Sequence, residues 1–465
     1  MTDDESIQSQ PVYKAAAKRW IYMIVGMAIN FSNGNTWITF ASITFYTNNY
    51  YGNDNATTMF NAIFMLLSIF VGPLAMWSSD RFGLFTAYHV GIWSNFLGNV
   101  IRFAGSGSWM PKHNRFMVAF IGQTIAAFAQ PFILFLPTKI ASYWFKPEQR
   151  TLADTCVSMS NPLGIALMFS CAPLFVNKSH PDNFTVLNGI CLAGATITAL
   201  LSLFITTSEP PTPVAPSKQM NDNVPSFMEG LKQCFKSKHF MLLTVTIGGG
   251  IGAFSALYNM MQPALCAKGY SPVFNGLMGS ALIVAGLFGV AGAGLIAEAT
   301  GQLEFIMKMC FGCAGIAAAS LSIAINYEHQ EAWVASSICL FGFFAFSIYP
   351  LGLEAGLETS FPVAEATATG LIMVIGQLEG IGFVAITSLL TTSATPHTLG
   401  IQTCVESNTE ISSVVEWRNA FLAWLAIVVF LIMLFITFFR PQNKRKAFER
   451  QELIERRQLK ECDTS

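Results

Sequence analysis

Apolar stretches of about twenty residues recur along the chain, divided by short polar segments, and this spacing predicts helices that cross a membrane. They lie near 20–43, 59–77, 84–103, 115–137, 152–175, 185–206, 239–262, 273–297, 305–325, 332–357, 365–391 and 419–439. At about 1.5 Å of rise per residue each can traverse a hydrocarbon core of roughly 30 Å. Alternating apolar and polar residues, the mark of a membrane barrel, do not recur. Between the sixth and seventh stretches runs TTSEPPTPVAPSKQMNDNVPSFMEGLKQCFKSK, a Pro-rich polar segment that reads as a linker. The expected fold class is therefore an all-α membrane protein with twelve transmembrane helices in two six-helix, pseudo-symmetric bundles. Its predicted parts are a tail at 1–19, a bundle at 20–206, a linker at 207–238, a second bundle at 239–439 and a tail at 440–465.

Composition agrees with the pattern, since 52% of residues are hydrophobic and 11% charged. The net charge of −1 hides an asymmetry. With both tails and the linker on one side, twenty of the 26 Lys and Arg residues fall on that side, which the positive-inside rule makes cytoplasmic. Three glycosylation sequons, beginning at Asn55, Asn177 and Asn183, all fall in loops that charge assigns to the outside. The first eighteen residues carry no apolar stretch, so no signal peptide is expected and the first helix directs insertion. Most of the ten cysteines lie within apolar runs and behave as small hydrophobes, Cys310 and Cys313 included. Cys266 and Cys404 both fall in segments placed outside, where a disulfide can form.

A repeat is visible in two short loops. The second helix ends in GPLAMWSSDRFG, around Gly72, Asp80 and Gly83, and the eighth in GLIAEATG, around Gly294, Glu298 and Gly301. An acid can cap or pair there and a glycine permits the tight turn, so Asp80, Gly83, Glu298 and Gly301 are candidate gating residues. Crowding of Gly and acids in any short loop is the plainer explanation. The loops resemble the signature of the major facilitator superfamily, whose two bundles rock about a central site. Its trailing basic pair is replaced here by Leu84 and Phe85.

A narrower resemblance covers essentially all twelve helices. NGNTWITFASI at 33–43, AQPFILFLPTKIASYWF at 129–145, YPLGLEAGLETSFP at 349–362 and EATATGLIMVIGQLEGI at 365–381 resemble the feline leukaemia virus subgroup C receptor-related family. That family includes choline, ethanolamine and proposed haem transporters, and TSFPVAEATATG and GQLEGI are most similar to its orphan third member. The resemblance implies transport by alternating access. Trp37 matches an aromatic that meets the quaternary ammonium in the choline carriers, and Gln130 and Gln377 match glutamines lining the cavity. The carriers' second cavity aromatic aligns with Ser255, leaving Tyr258 nearly one turn away.

The residues support these roles on their own chemistry, each beside a plainer reading. Trp37 follows a polar run of Asn30, Ser32, Asn33, Asn35 and Thr36, which cannot face lipid. An indole face can hold a cation without a carboxylate, or can simply pack. The amides of Gln130 and Gln377 can orient a hydroxyl or amine, although Gln123 and Gln130 also share a face and suit an interhelical ladder. Glu379 falls near the centre of the eleventh helix, where an unpaired charge costs about 3 kcal/mol or more. It can hold a cationic substrate, carry a proton or pair with a neighbour, and the choline carriers lack it. Gly248, Gly249, Gly250 and Gly252 permit bending or close packing. Glu354 and Glu358, one turn apart, and Glu365 at the next helix start read as structural or gating acids.

A haem carrier would be expected to offer His, Tyr, Cys or Met to the iron, and His89 is the one helical histidine. No nucleotide-binding loop and no interfacial cluster of His, Asp or Cys appears, so neither an enzyme, a resident cofactor or metal, nor a nucleic-acid partner is expected. The predicted partners are the bilayer and a small solute, with a coupling proton or ion left open, in a monomer. A plasma-membrane location is favoured over an endolysosomal one; the tail's Glu449-Arg-Gln-Glu-Leu453-Ile454 resembles a sorting signal or a charged amphipathic helix. An organic cation or amine is the favoured solute. A haem carrier and a non-transporting receptor with a carrier fold are the alternatives.

Overall fold

The computed structural model describes residues 16–177, 179–215, 225–393 and 415–464. In the first half, α1 (Arg19–Ile38) leads through a short 3₁₀ turn into α2 (Thr44–Tyr51), and α3 (Ala56–Ala104) follows. Next come α4 (Lys112–Leu134), α5 (Leu136–Trp144), α6 (Arg150–Phe175) and α7 (Phe184–Leu201). After the linker come α8 (Phe227–Lys236), α9 (Lys238–Ala267), α10 (Pro272–Thr300), α11 (Leu303–Ala324), α12 (Glu331–Ser360) and α13 (Glu365–Leu389). A two-residue β1 (Thr392–Ser393) pairs antiparallel with β2 (Val415–Glu416), ahead of α14 (Arg418–Phe438) and the tail helix α15 (Lys444–Thr464).

Ten described segments are long and apolar enough to cross a membrane. Twelve crossings follow from two physical details. The 49 residues of α3 hold two spans, because Gly83 takes φ 83° and ψ −176° and breaks the helix, a backbone that disfavours any residue with a Cβ. The second detail is α1, whose polar run keeps its mean hydropathy low although it is packed like a span. Asn30, Ser32, Asn33, Asn35 and Thr36 are all buried. Asn33 donates to Asn95 at 3.1 Å, Asn95 to Ser32 at 3.2 Å and Asn99 to Thr36 at 3.1 Å, so the polar run of α1 is bonded to the second span of α3. Outward, Phe70, Phe288, Ile316 and Phe430 each expose most of their surface, which makes an apolar coat suited to lipid.

Small residues set how closely the helices approach. A side chain at Gly34 would collide with the Asn161 carbonyl, and one at Gly164 with that of Phe31, so α1 and α6 meet backbone to backbone. The second half repeats this. A Cβ on Gly248 would lie 3.0 Å from the Gly376 nitrogen and one on Gly252 2.7 Å from that of Gly380, joining α9 to α13. Gly248 and Gly252 of the seventh apolar run therefore serve close packing, whereas Gly250 faces the open space of the central cavity. In the second signature loop a glycine again takes a positive φ: Gly301 ends α10 at φ 65°, and its N–H returns to the Ala297 carbonyl at 2.9 Å.

Candidate functional site

A cavity of about 150 Å³ lies between the halves. From the first half it is lined by Trp37, Gln130 and Asn161, and from the second by Phe254, Ser255, Tyr258, Phe341, Phe346, Tyr349 and Gln377. No charged side chain stands among the lining residues. Trp37 sits in the last turn of α1, with its indole N–H 3.4 Å from the Asn61 carbonyl. The Gln130 carbonyl oxygen accepts from Ser68 at 3.0 Å. Tyr258 stacks on Phe169 at 5.7 Å between ring centres, and its buried hydroxyl has no protein partner. An orphaned hydroxyl, three amides and several ring faces converge on one small space. Such a surface can hold a small polar or cationic solute without a salt bridge.

Glu379 stands elsewhere. Two residues past Gln377 it is turned about 200° around α13, away from the cavity. Its Oε2 is buried without a hydrogen bond and would lie 3.3 Å from a Cβ on Gly249 of α9, beside Leu431 of α14. Gln123 also parts from Gln130, since it bonds Arg102 and the carbonyls of Thr36 and Phe60 rather than the cavity. His89 lies off the lining, with its ring 3.3 Å from the Ile205 carbonyl.

The halves touch on both sides of the cavity. On the face bearing the linker, Asp80 accepts from the backbone N–H of Thr367 at 2.9 Å and from its hydroxyl at 2.7 Å. A carboxylate from the first half thus caps the first turn of α13 in the second, where the helix dipole favours it. Lys139 of α5 pairs with Asp80 at 3.1 Å and also donates to the Ser79 carbonyl. Thr138 meets Thr369 at 3.0 Å. The tail helix crosses the same seam. Glu449 bonds Arg150 at 2.9 Å, Arg445 donates to Ser142 at 3.3 Å, and Glu358 accepts from the Lys446 N–H at 3.1 Å. Glu354 is buried within electrostatic reach of Asp154. On the opposite face Thr44 donates to Gln262 at 3.4 Å, and Ser170 meets Ser280.

The sequons fall on that opposite face: Asn55 is exposed between α2 and α3, and Asn177 and Asn183 are partly exposed between α6 and α7. Cys266 is disulfide-bonded, whereas Cys404 lies outside the described residues. Glu298 falls in α10, with its side chain outside the described ones, as is that of Leu453 in the tail. Gly294 has open space around it. Sequence reasoning passed over three groups. Lys139 and Arg102 counted only as loop charges, and Asp154 was visible as an acid at the start of the fifth apolar run. Asp154 is 2% exposed, with one oxygen unpartnered.

Two helical bundles that enclose a small cavity and close on each other at both ends define a membrane carrier. The Major Facilitator Superfamily signature matches residues 23–405. The chain belongs to that superfamily and, within it, to the feline leukaemia virus subgroup C receptor-related branch. It is 31% identical to solute carrier family 49 member A3 of Xenopus tropicalis, over 93% of this chain and 89% of that one. Similarity to the human choline/ethanolamine transporter FLVCR2 is 26% identity over 80% of this chain and 72% of the relative. A bacterial homologue of the iron transporter ferroportin, solved facing outward, superposes with a TM-score of 0.61 at 12% identity, covering 90% of this chain and 99% of the other. The protein is a multi-pass membrane transporter of a small solute.

Proposed function

We propose that the solute is a small organic cation or amine of the choline or ethanolamine type, carried by alternating access about the central cavity. The observation that carries this reading is the lining itself, where Trp37, Tyr258, Gln130 and Gln377 converge from both halves with no charged group among them. A ring face attracts a quaternary ammonium by about 0.5–2 kcal/mol, more as water is excluded. The amides and the Tyr258 hydroxyl then suit the alcohol end. The volume, about 150 Å³, is below the roughly 300–1,000 Å³ of sites for drug-sized ligands, which favours choline over a haem macrocycle. The named activity of FLVCR2 supports the same class. Asp80, Gly83, Glu354, Glu358 and the second loop with Glu298 and Gly301 act as gates, with the tails and linker cytoplasmic and Asn55, Asn177 and Asn183 glycosylated outside. The protein works as a plasma-membrane monomer driven by its solute gradient or a coupled ion.

Uptake of isotopic choline, ethanolamine, haem and a vitamin amine into proteoliposomes tests this. Choline or ethanolamine is expected to enter, and Trp37→Ala to raise its KM about 2- to 30-fold, matching the range above. Entry of haem alone, or a neutral Trp37→Ala, would sink the assignment.

A further inference from the structure

Arg102 is the most enclosed cation described, with 0% of its surface exposed, and it lies at the end of the third span. No carboxylate pairs with it among the described residues. Its charge is shared among neutral partners on three helices. Nε donates to Asn188 of α7 at 2.6 Å; Nη1 donates to the Thr36 carbonyl of α1 at 2.7 Å and to Gln123 of α4 at 2.8 Å. The guanidinium also lies over the Phe40 ring, 4.4 Å from its centre. The space around it is filled, so the group is not a ligand site.

Its position explains the arrangement. α1 ends at Ile38, so the Thr36 carbonyl belongs to the last turn, which lacks ordinary helical amide partners. A cation there satisfies the carbonyl and complements the helix dipole. Gln123 reinforces the same carbonyl at 3.4 Å and reaches Phe60 at 3.2 Å. The next residue is Trp37. We propose that Arg102 is a positioning residue that pins the end of α1 through the Thr36 carbonyl and thereby fixes how the Trp37 indole enters the cavity. This rests on Trp37 as a substrate contact only for its effect on transport. The positioning itself stands on the geometry above. Lysine cannot replace arginine here, because a compact ammonium does not span Thr36, Gln123 and Asn188 at once.

Protein carrying 5-fluorotryptophan gives nine fluorine resonances, one per tryptophan, and the one lost in Trp37→Phe identifies Trp37. Arg102→Lys is expected to shift and broaden that resonance and leave the other eight in place. In uptake, Arg102→Lys is expected to raise KM about tenfold with the maximal rate within about twofold, and to add nothing to Trp37→Ala, as coupled neighbours behave. An unmoved Trp37 resonance, or effects of the two substitutions that multiply, overturns the proposal. A moved resonance with neutral Trp37→Ala keeps the positioning role and removes Trp37 from the substrate site. Should Arg102→Lys fail to give dispersed resonances, Gln123→Met replaces it, with a smaller shift of the same resonance expected and no shift overturning the idea.

Discussion

Tyr258 shows how a single side chain separates stability from selectivity. A buried hydroxyl without a partner destabilises by about 1–3 kcal/mol, so Tyr258→Phe is expected to melt at the same temperature or higher. If that hydroxyl serves the solute, the same substitution narrows the KM ratio between choline and a quaternary ammonium lacking the alcohol by about tenfold, or ~1.4 kcal/mol. An unchanged ratio, measured in proteoliposomes, removes Tyr258 from solute recognition. Residues of this kind were partly legible in the sequence. Trp37, Gln130, Gln377 and Tyr258 all reach the cavity, and each stood in a polar or resembling context. Glu379 shows the limit of such reasoning. An acid at mid-membrane depth must avoid lipid, yet depth does not state azimuth, and its side of α13 faces α9 and α14. Arg102 escaped notice because a basic residue at the end of an apolar run reads equally well as a loop cation. Only the neighbours brought by α1, α4 and α7 distinguish the two.

Helices that apolar length can announce were legible, and those held by particular contacts were not. α4 and α5 are split at Phe135, just before Pro137, within one continuous span. α8 lies in what composition marks as linker, with its own Cys234 buried and its Gly230 against Val363. The tail helix was expected to be charged and amphipathic, but its charges give no hint that they are buried. Arg445 is 3% exposed and Glu449 7%, both inserted where α5, α6 and α12 meet. Removing one member of a buried ion pair costs about 3–5 kcal/mol, so Arg150→Glu and Glu449→Arg are each expected to lower the melting temperature by several degrees. Combining them is expected to recover part of the loss. Thiol labelling of Ser142→Cys provides a second readout, faster in either single variant than in the combination. Equal labelling in all three would show that α15 does not hold the seam.

At the level of the molecule, two halves were legible from the linker and the paired glycine turns, because each depends on residues close in sequence. How the halves meet was not, since Asp80 and Thr367 stand 287 positions apart. Alternating access requires both sets of cross-bundle contacts to part in turn. Cysteines at Thr138 and Thr369, whose hydroxyl oxygens are 3.0 Å apart, are expected to arrest uptake on oxidation and restore it on reduction. Cysteines at Ser170 and Ser280 are expected to do the same from the other face. Undiminished flux through either cross-linked protein would exclude rocking about this cavity. The polarity of α1 bears, finally, on biogenesis. Asn33, the Thr36 hydroxyl and the Thr36 carbonyl bond to Asn95, Asn99 and Arg102, which lie 62, 63 and 66 residues further along. The ribosome therefore delivers α1 to the translocon before its partners have been synthesised. Its secure entry into lipid awaits the third span, so substitutions at those partners are felt by the quality-control machinery of the nascent chain before they are felt by any solute.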